Sequence, residues 1–150
     1  MSRKTPVRDL FSGYLGSRKL KMTRGRQSIL EAIESTEGHF GADELHMALR
    51  GRGARVSRAT VYRALEHLVG SGLVERVYVG ENQQRRALYE HVHGRRHHEH
   101  MHCIRCGRII EFVDDQLEER QEQVCRRMEF KPLRHALRID GICRSCQDGP

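Results

Sequence analysis

The stretch Ser57-Arg58-Ala59-Thr60-Val61-Tyr62-Arg63-Ala64-Leu65 combines a helix cap with two faces of opposite character. Ser57 predicts the start of a helix, because its hydroxyl can accept a hydrogen bond from an N–H of the first turn. Apolar residues recur at helical spacing as far as Val69, which predicts a face that points to a core. Gly70 and Gly72 end the helix. The opposite face carries Arg58, Thr60, Tyr62 and Arg63.

Two further helices are predicted before this one. Thr23 can cap a helix that runs through Ile29, Leu30 and Ile33, whose spacing gives one apolar face. Gly41 precedes a second helix over residues 42–49. Its predicted inward-facing residues are Leu45, Ala48 and Leu49. The apolar faces of these two helices and of the helix after Ser57 are all predicted to point to the core.

A β-hairpin is predicted to follow. Leu73 to Val79 alternates like a strand, Gly80-Glu81-Asn82 supplies a turn, and Arg86 to Glu90 returns as a second strand. Three helices followed by a two-stranded hairpin are typical of a winged helix-turn-helix. We therefore predict an N-terminal domain of this kind over residues 1–90.

The second half has a different pattern. A strand, turn and strand are predicted over residues 102–113, and Asp114 can cap a helix from Asp115 to about Met128. Leu133 to Ile139 alternates as a further strand. We predict a small α/β domain over residues 98–150, joined to the first through a polar hinge at residues 91–97. The predicted fold class is α+β.

Two Cys-x-x-Cys pairs give the strongest chemical signal, Cys103 with Cys106 and Cys143 with Cys146. Each spacing lets one turn present two thiolates, and a closed site of four sulfurs suits structural Zn²⁺. In the cytoplasm, where thiols stay reduced, a metal site explains the pairs better than disulfides do. Cys125 lies among helix positions and is predicted to be a core thiol.

Histidines and carboxylates next to the first cysteine pair form a second ligand set. On a strand, His98 and His100 would point to one face, while His97 and Glu99 would point to the other. This alternation predicts two separate nitrogen–oxygen sites, which suit Fe²⁺, Mn²⁺ or Zn²⁺. Carboxylates from later elements that can complete them are Glu111 and Glu118.

The net charge of +7 favours a polyanionic partner, and double-stranded DNA is the leading candidate. A helix fits the major groove, and the helix after Ser57 would leave Arg58, Tyr62 and Arg63 free to face DNA. Lys21 and Arg26, near the first predicted helix, can meet phosphates or the minor groove.

Membrane insertion and enzyme activity are not expected. No apolar run approaches the roughly 20 residues of a membrane span, and the N-terminus lacks the apolar core of a signal peptide, which favours a cytoplasmic location. The sequence lacks a metalloprotease His-Glu-x-x-His, since His98-Glu99-His100 has the wrong spacing. A small-molecule substrate is therefore not expected.

From about Leu20 to Cys146 the chain resembles the ferric uptake regulator family of metal-dependent bacterial repressors. The resemblance rests on Ser57–Leu65, on His97–Gly107 and on Ile109-Ile110-Glu111-Phe112. It implies a winged-helix domain, a C-terminal dimerisation domain, structural zinc on the four paired cysteines, and a homodimer on operator DNA. Lys21 matches a minor-groove position of the family, and Tyr62 and Arg63 match base-contacting positions.

The resemblance also assigns two further metal sites. The regulatory site, which bridges the two domains in the family, would use His39, Glu90, His98, His100 and Glu111. An additional site in the dimerisation domain would use His97, Glu99, Glu118 and His135. Peroxide-responsive members tend to have aspartates where this chain has Glu90 and Glu111, so an Fe²⁺-responsive repressor is favoured.

Several alternatives stay open at this point. A zinc-, manganese- or peroxide-responsive regulator of the same family would use the same ligand types. A zinc-dependent hydrolase would need an open metal position and a substrate cleft. A zinc-buffering scaffold would need no DNA contact.

Overall fold

The computed structural model describes residues 5–80 and 85–149 of the 150-residue chain. The chain divides into two compact units, Met1–Arg95 and Arg96–Pro150, and the boundary falls within the segment 91–97. Each unit combines helices with a three-stranded sheet, which confirms the α+β class. None of the described helices is both long enough and apolar enough to cross a membrane.

The first unit is built from four described helices and an antiparallel sheet of strand order β1-β3-β2. The helices are α1 (Val7–Ser17), α2 (Arg24–Glu34), α3 (Ala42–Gly51) and α4 (Arg58–Gly70). The strands are β1 (His39–Phe40), β2 (Val74–Val79) and β3 (Arg86–His91). Most of the turn that was predicted at Gly80-Glu81-Asn82 lies outside the described residues.

The core of the first unit is formed by the apolar faces of these helices. Side chains with no exposed surface are Phe11, Leu15, Ile29, Ile33, Val61, Leu65 and Leu68. The prediction that Ala48 faces inward is wrong, because its side chain is exposed while Ala42 is buried. Residues 42, 45 and 49 lie on one stripe of α3, and residue 48 is rotated about 100° from residue 49.

The predicted cap of α4 is present. The Ser57 hydroxyl accepts a hydrogen bond from the Thr60 N–H at 3.1 Å. Beyond the C-terminal end, Gly72 has φ of 76°, a conformation that glycine adopts without a steric penalty. α4 therefore starts and ends at residues whose local chemistry favours a helix terminus.

We expect Ser57→Ala to destabilise the first unit by about 1 kcal/mol, because the Thr60 N–H loses its side-chain acceptor and keeps only the Ser57 carbonyl oxygen. For a domain of this size the loss lowers the melting temperature by about 4–8 °C. All four tyrosines lie in the first unit, so tyrosine fluorescence follows its unfolding. Ser57→Asn should melt like the wild type, since asparagine also caps helices. Equal melting of the alanine variant would contradict the role of this cap.

The second unit contains a sheet of strand order β5-β4-β6 and two helices. The strands are β4 (Glu99–Cys103), β5 (Ile109–Phe112) and β6 (Arg138–Gly141), and the helices are α5 (Asp115–Arg127) and α6 (Arg144–Gln147). β4 pairs antiparallel with β5 and parallel with β6. As predicted, the Asp114 carboxylate caps α5 by accepting from Gln116 and Leu117.

Two predictions for the second unit are wrong. The strand predicted over residues 133–139 begins only at Arg138, since its neighbour β4 starts at Glu99 and the Leu137 N–H is taken by the Glu99 carboxylate. Cys125 is not a core thiol in the single chain, because it is only half-buried and α5 has no buried residue.

Candidate metal centres and DNA-facing helix

The two cysteine pairs meet at one end of the second unit's sheet. Because β4 and β6 run parallel, with Cys103 opposite Gly141, the turns that follow both strands lie at the same edge. The four sulfur atoms all lie within 4.8 Å of one another. The Sγ atoms of Cys106 and Cys143 are 3.8 Å apart. Zn–S bonds of about 2.3 Å place two sulfurs of a tetrahedron at about this separation, while a disulfide needs about 2.05 Å.

Backbone N–H groups around Cys103 favour its thiolate. The N–H of Cys143, 3.4 Å from the sulfur, and those of Cys106 and Arg105 lower the pKa of Cys103 to about 5. Hydrogen bonds with Cys143 and Cys106 raise the pKa of the Cys146 thiol to about 12. Four thiolates this close repel one another, and a divalent cation would compensate their charges. The donor set therefore fits Zn²⁺.

A second cluster joins His97, Glu99, Glu118 and His135. The Nε2 atom of His97 lies 3.1 Å from Glu99 Oε1 and 3.4 Å from Glu118 Oε1. The Nε2 atom of His135 lies 3.2 Å from Glu99 Oε1 and 3.1 Å from Glu118 Oε2. β4 contributes Glu99, α5 contributes Glu118, and His135 comes from the irregular segment before β6. Two imidazoles and two carboxylates suit Fe²⁺, Mn²⁺ or Zn²⁺.

Glu99 is the buried centre of this cluster. Burial alone would raise the pKa of Glu99, but the Leu137 N–H and the two histidines outweigh it, so the pKa is lowered. The Leu137 N–H lies 2.5 Å from Glu99 Oε2. The carboxylate is therefore held ionised and in one orientation, which is the form that binds a cation.

The other face of the same segment carries His98 and His100, as the alternation predicted. The Nδ1–H of His98 donates to the Arg96 carbonyl oxygen at 3.0 Å, which leaves Nε2 as the ligand atom of the ring. That Nε2 lies 3.9 Å from Glu111 Oε2, and the rings of His98 and His100 are 5.0 Å apart. Glu111 stands opposite His100 across the pair of β4 and β5.

In the first unit, the short strand β1 places His39 opposite Glu90. The His39 Nε2 lies 3.3 Å from Glu90 Oε2, and the Glu90 carboxylate is fully buried. Arg95 forms an ion pair with the same carboxylate. Because the charge of a buried carboxylate needs compensation, this arginine matters to the site, although no spacing pattern in the sequence pairs it with Glu90.

His102 shares the face of His100 but has a different partner. Its Nδ1 lies 3.1 Å from Asp140 Oδ1, across the parallel pair of β4 and β6. Arg138 also donates to Asp140, at 2.7 Å. Within residues 5–80 and 85–149, no cluster of metal-ligating atoms includes His102.

The predicted DNA-facing side of α4 exposes Arg63. Its Nη2 lies 3.4 Å from the Thr60 hydroxyl, a weak contact. Thr60 itself is tied to the cap, with its hydroxyl 2.8 Å from that of Ser57. Lys21 is exposed, and its carbonyl oxygen accepts a hydrogen bond from the half-buried Arg26 at 2.6 Å. Arg26 therefore braces the segment before α2.

The expectation that Arg58 and Tyr62 are left free is wrong. Arg58 Nε and Nη2 donate to the two oxygens of Asp43 at 2.6 and 2.9 Å. The Tyr62 hydroxyl lies 3.4 Å from Asp43 Oδ1. Asp43 was missed because an acidic residue in the first turn of a helix is already explained by the helix dipole. Only packing of α3 on α4 brings it to Arg58.

The winged-helix unit and the separate thiolate and imidazole–carboxylate clusters define the class of metal-responsive DNA-binding regulators. The sequence pattern of the Ferric uptake regulator family matches residues 17–140. The Ferric uptake regulation protein of Legionella pneumophila is 39% identical over 129 residues, which cover 85% of this chain and 92% of that protein.

Solved structures agree with the sequence comparison. The ferric uptake regulator of Pseudomonas aeruginosa with manganese is 32% identical, covers 88% of this chain and 96% of that one, and has a TM-score of 0.73. The Vibrio cholerae ferric uptake regulator is 32% identical, covers 88% and 98%, and has a TM-score of 0.68. The chain belongs to the ferric uptake regulator family. The prediction of a metal-responsive transcriptional regulator that is not an enzyme is thereby confirmed.

Proposed function

We propose that this chain is a homodimeric repressor that binds a palindromic operator in double-stranded DNA, with Fe²⁺ as corepressor, and controls iron uptake and homeostasis genes. One observation carries the proposal: a winged-helix unit with an exposed Arg63 shares a chain with separate clusters of metal ligands. The names of the relatives support iron as the regulatory metal. A cytoplasmic location, where thiols stay reduced, belongs to the same proposal.

The four clustered cysteines are the proposed ligands of structural Zn²⁺. Bound there, the ion would neutralise the thiolates and hold together the turns that follow β4 and β6. Hydrogen bonds within the protein also hold these turns. The Arg105 guanidinium donates to the Cys146 carbonyl oxygen at 2.6 Å, and the Gly107 N–H closes the first turn on the Cys103 carbonyl oxygen at 2.9 Å.

The proposed regulatory ligands are His39, Glu90, His98, His100 and Glu111. The additional site would use His97, Glu99, Glu118 and His135. Contacts within each unit support these assignments, namely the pair of His39 with Glu90 and the oriented Nε2 of His98. A regulatory cation, when bound, supplies a charge that shifts the population of conformers toward the one that binds DNA. Mn²⁺ or Zn²⁺ suits the same donors.

An exposed apolar surface of the second unit supports the homodimer. Met101, Ile110 and Ile139 stand opposite one another on neighbouring strands, and each is about two-fifths exposed. Leu133 is 86% exposed, and α5 buries no residue in the single chain. A second copy would cover this surface by two-fold symmetry. Two α4 helices could then enter major grooves about 34 Å apart.

Metal-resolved DNA binding tests the proposal. The purified protein is analysed for metal, and an operator is then selected from random duplexes with the wild type. Binding is titrated separately with Fe²⁺, Mn²⁺ and Zn²⁺. We expect Fe²⁺ to raise operator affinity most. A zinc- or manganese-responsive regulator would reverse that order, and a peroxide sensor would show an oxidised ligand histidine by mass spectrometry.

We expect His98→Ala to abolish the metal dependence of operator binding. The wild type should gain about 5–150-fold in affinity on metal addition, which is the usual range of coupling between two sites. The variant loses the Nε2 that faces Glu111 and should bind equally with and without metal. His93→Ala, which removes a histidine outside the proposed sites, is the control. Full metal dependence in His98→Ala would refute this ligand.

A further inference from the structure

We infer that Asp43 is a specificity-determining residue for DNA, which holds Arg58 in a neutral pair and so weakens binding to random sequence. The inference rests on the proposed function of α4 as the DNA-reading helix. Asp43 lies in the first turn of α3, and Arg58 is the first residue of α4. The contact is bidentate, with N–O distances of 2.6 and 2.9 Å.

The pair contributes little to folding. Both side chains are more than half exposed, at 57% for Asp43 and 64% for Arg58. Exposed ion pairs add only marginally to stability, because solvent screens them and ordering two side chains costs entropy. Because the Asp43–Arg58 pair lies at the start of the proposed reading helix, we expect it to affect the affinity for DNA and not the stability of the fold.

Asp43 neutralises the positive charge of Arg58 at a position where DNA phosphates would otherwise attract it. Hydrogen bonding and the charge of the Arg58 guanidinium lower the pKa of Asp43, so the carboxylate is ionised at neutral pH. Binding to random DNA depends almost wholly on neutralising phosphates. Asp43 cancels one cation at the reading end of α4, and it also adds a negative charge that phosphates repel.

The same carboxylate orients Tyr62. The tyrosine hydroxyl lies 3.4 Å from Asp43 Oδ1, and the Arg58 guanidinium carbon lies 5.4 Å from the centre of the ring. Arg63 has no such counter-ion, since its only polar side-chain contact among the described residues is with the Thr60 hydroxyl. The reading face therefore presents one oriented aromatic ring and one arginine that is available to a base, while its other arginine is neutralised. This arrangement favours discrimination between base sequences over non-specific attraction to phosphates.

Asp43→Asn tests the inference, because the amide keeps the shape and one acceptor but loses the charge. Affinities are measured for a pool of random duplexes of about 25 base pairs and for a duplex selected by the wild type. At about 0.1 M salt we expect about tenfold tighter binding to random duplexes for each subunit engaged. The slope of log K against log salt should steepen by about one per subunit. The ratio of selected to random affinity should fall.

Three further variants test whether the net charge of the Asp43–Arg58 pair sets the affinity for random duplexes. Arg58→Gln leaves Asp43 unpaired and should weaken random-duplex binding. Asp43→Asn with Arg58→Gln should return it to the wild-type value. Glu66→Gln is the matched control, because Glu66 also pairs with an arginine, Arg76, but lies about 12 Å further along α4. Because screening weakens its effect at the proposed reading end, the salt slope of Glu66→Gln should change less than that of Asp43→Asn.

The outcomes separate this inference from the proposed function. If Asp43→Asn matches the wild type or Glu66→Gln in salt slope, Asp43 has no role in specificity, although metal-dependent operator binding by the wild type still stands. If the wild type selects no duplex, the proposed function fails and the inference fails with it. If Asp43→Asn does not fold, Asp43→Ala takes its place, and unchanged binding to random duplexes with an unchanged salt slope in that variant overturns the inference.

Discussion

Replacing Cys143 by serine is expected to release zinc from the chain and to unfold the second unit. The sulfur of Cys143 lies 3.8 Å from that of Cys106, and the Cys143 N–H supports the Cys103 thiolate. A serine hydroxyl stays protonated near neutral pH and is a poor ligand for a soft-ligand site. The three remaining sulfurs cannot complete the tetrahedral set.

The expected effect is large because the second unit has little other material for a core. Among its described residues, Cys103 is the only buried apolar side chain, and the other buried residues are His98, Glu99, His100 and His102. Structural zinc contributes about 10–16 kcal/mol to the folding of small zinc-dependent peptides. Whole domains are typically stable by only about 5–15 kcal/mol. Loss of the metal should therefore exceed the stability that remains.

Zinc content and protease resistance measure this outcome. We expect the wild type to retain about one tightly bound zinc per chain at this site, and Cys143→Ser to lose it. The variant should also become sensitive to proteolysis within residues 96–149. Cys125→Ser is the matched control, since Cys125 is half-buried on α5 and belongs to none of the metal-ligand clusters found within residues 5–80 and 85–149. Retained zinc with an intact second unit in Cys143→Ser would exclude the four-sulfur site.

Features that depend on a few neighbouring residues were predictable from the sequence. Thr23, Ser57 and Asp114 cap their helices, because each side chain accepts a hydrogen bond from an N–H two or three residues later. The alternation around His98 also separated the two ligand faces, since a strand has a period of two residues. Such features require no knowledge of tertiary contacts.

Features that depend on distant contacts were not predictable in the same way. β1 has only two residues and exists through its pairing with β3. The Leu137 N–H is drawn to Glu99 rather than to a longer strand. Asp43 reaches Arg58 through packing of α3 on α4. The grouping of Glu118 and His135 with Glu99 came from the family resemblance, because no local spacing connects them.

Arg63→Ala is expected to lower operator affinity by about 30-fold to 10⁴-fold. A bidentate contact of arginine with guanine provides about 1–3 kcal/mol of discrimination, and a homodimer makes the contact twice. Arg63 is suited to this role because it is exposed on α4 and, among the residues that the structure describes, its side chain has only the weak contact with Thr60. Little has to be broken before the guanidinium can meet a base edge.

Arg63→Lys separates recognition of bases from electrostatic attraction to phosphates. Lysine keeps the positive charge but lacks the planar pair of donors that matches guanine. The lysine variant should therefore keep the salt dependence of the wild type on random duplexes and lose most of the preference for the selected duplex. Arg126→Ala removes an exposed arginine that pairs with Glu122 on α5, in the other unit, and serves as the control. Wild-type operator binding by Arg63→Ala would show that Arg63 does not read the operator, whereas a wild type that selects no duplex would favour a zinc-binding scaffold.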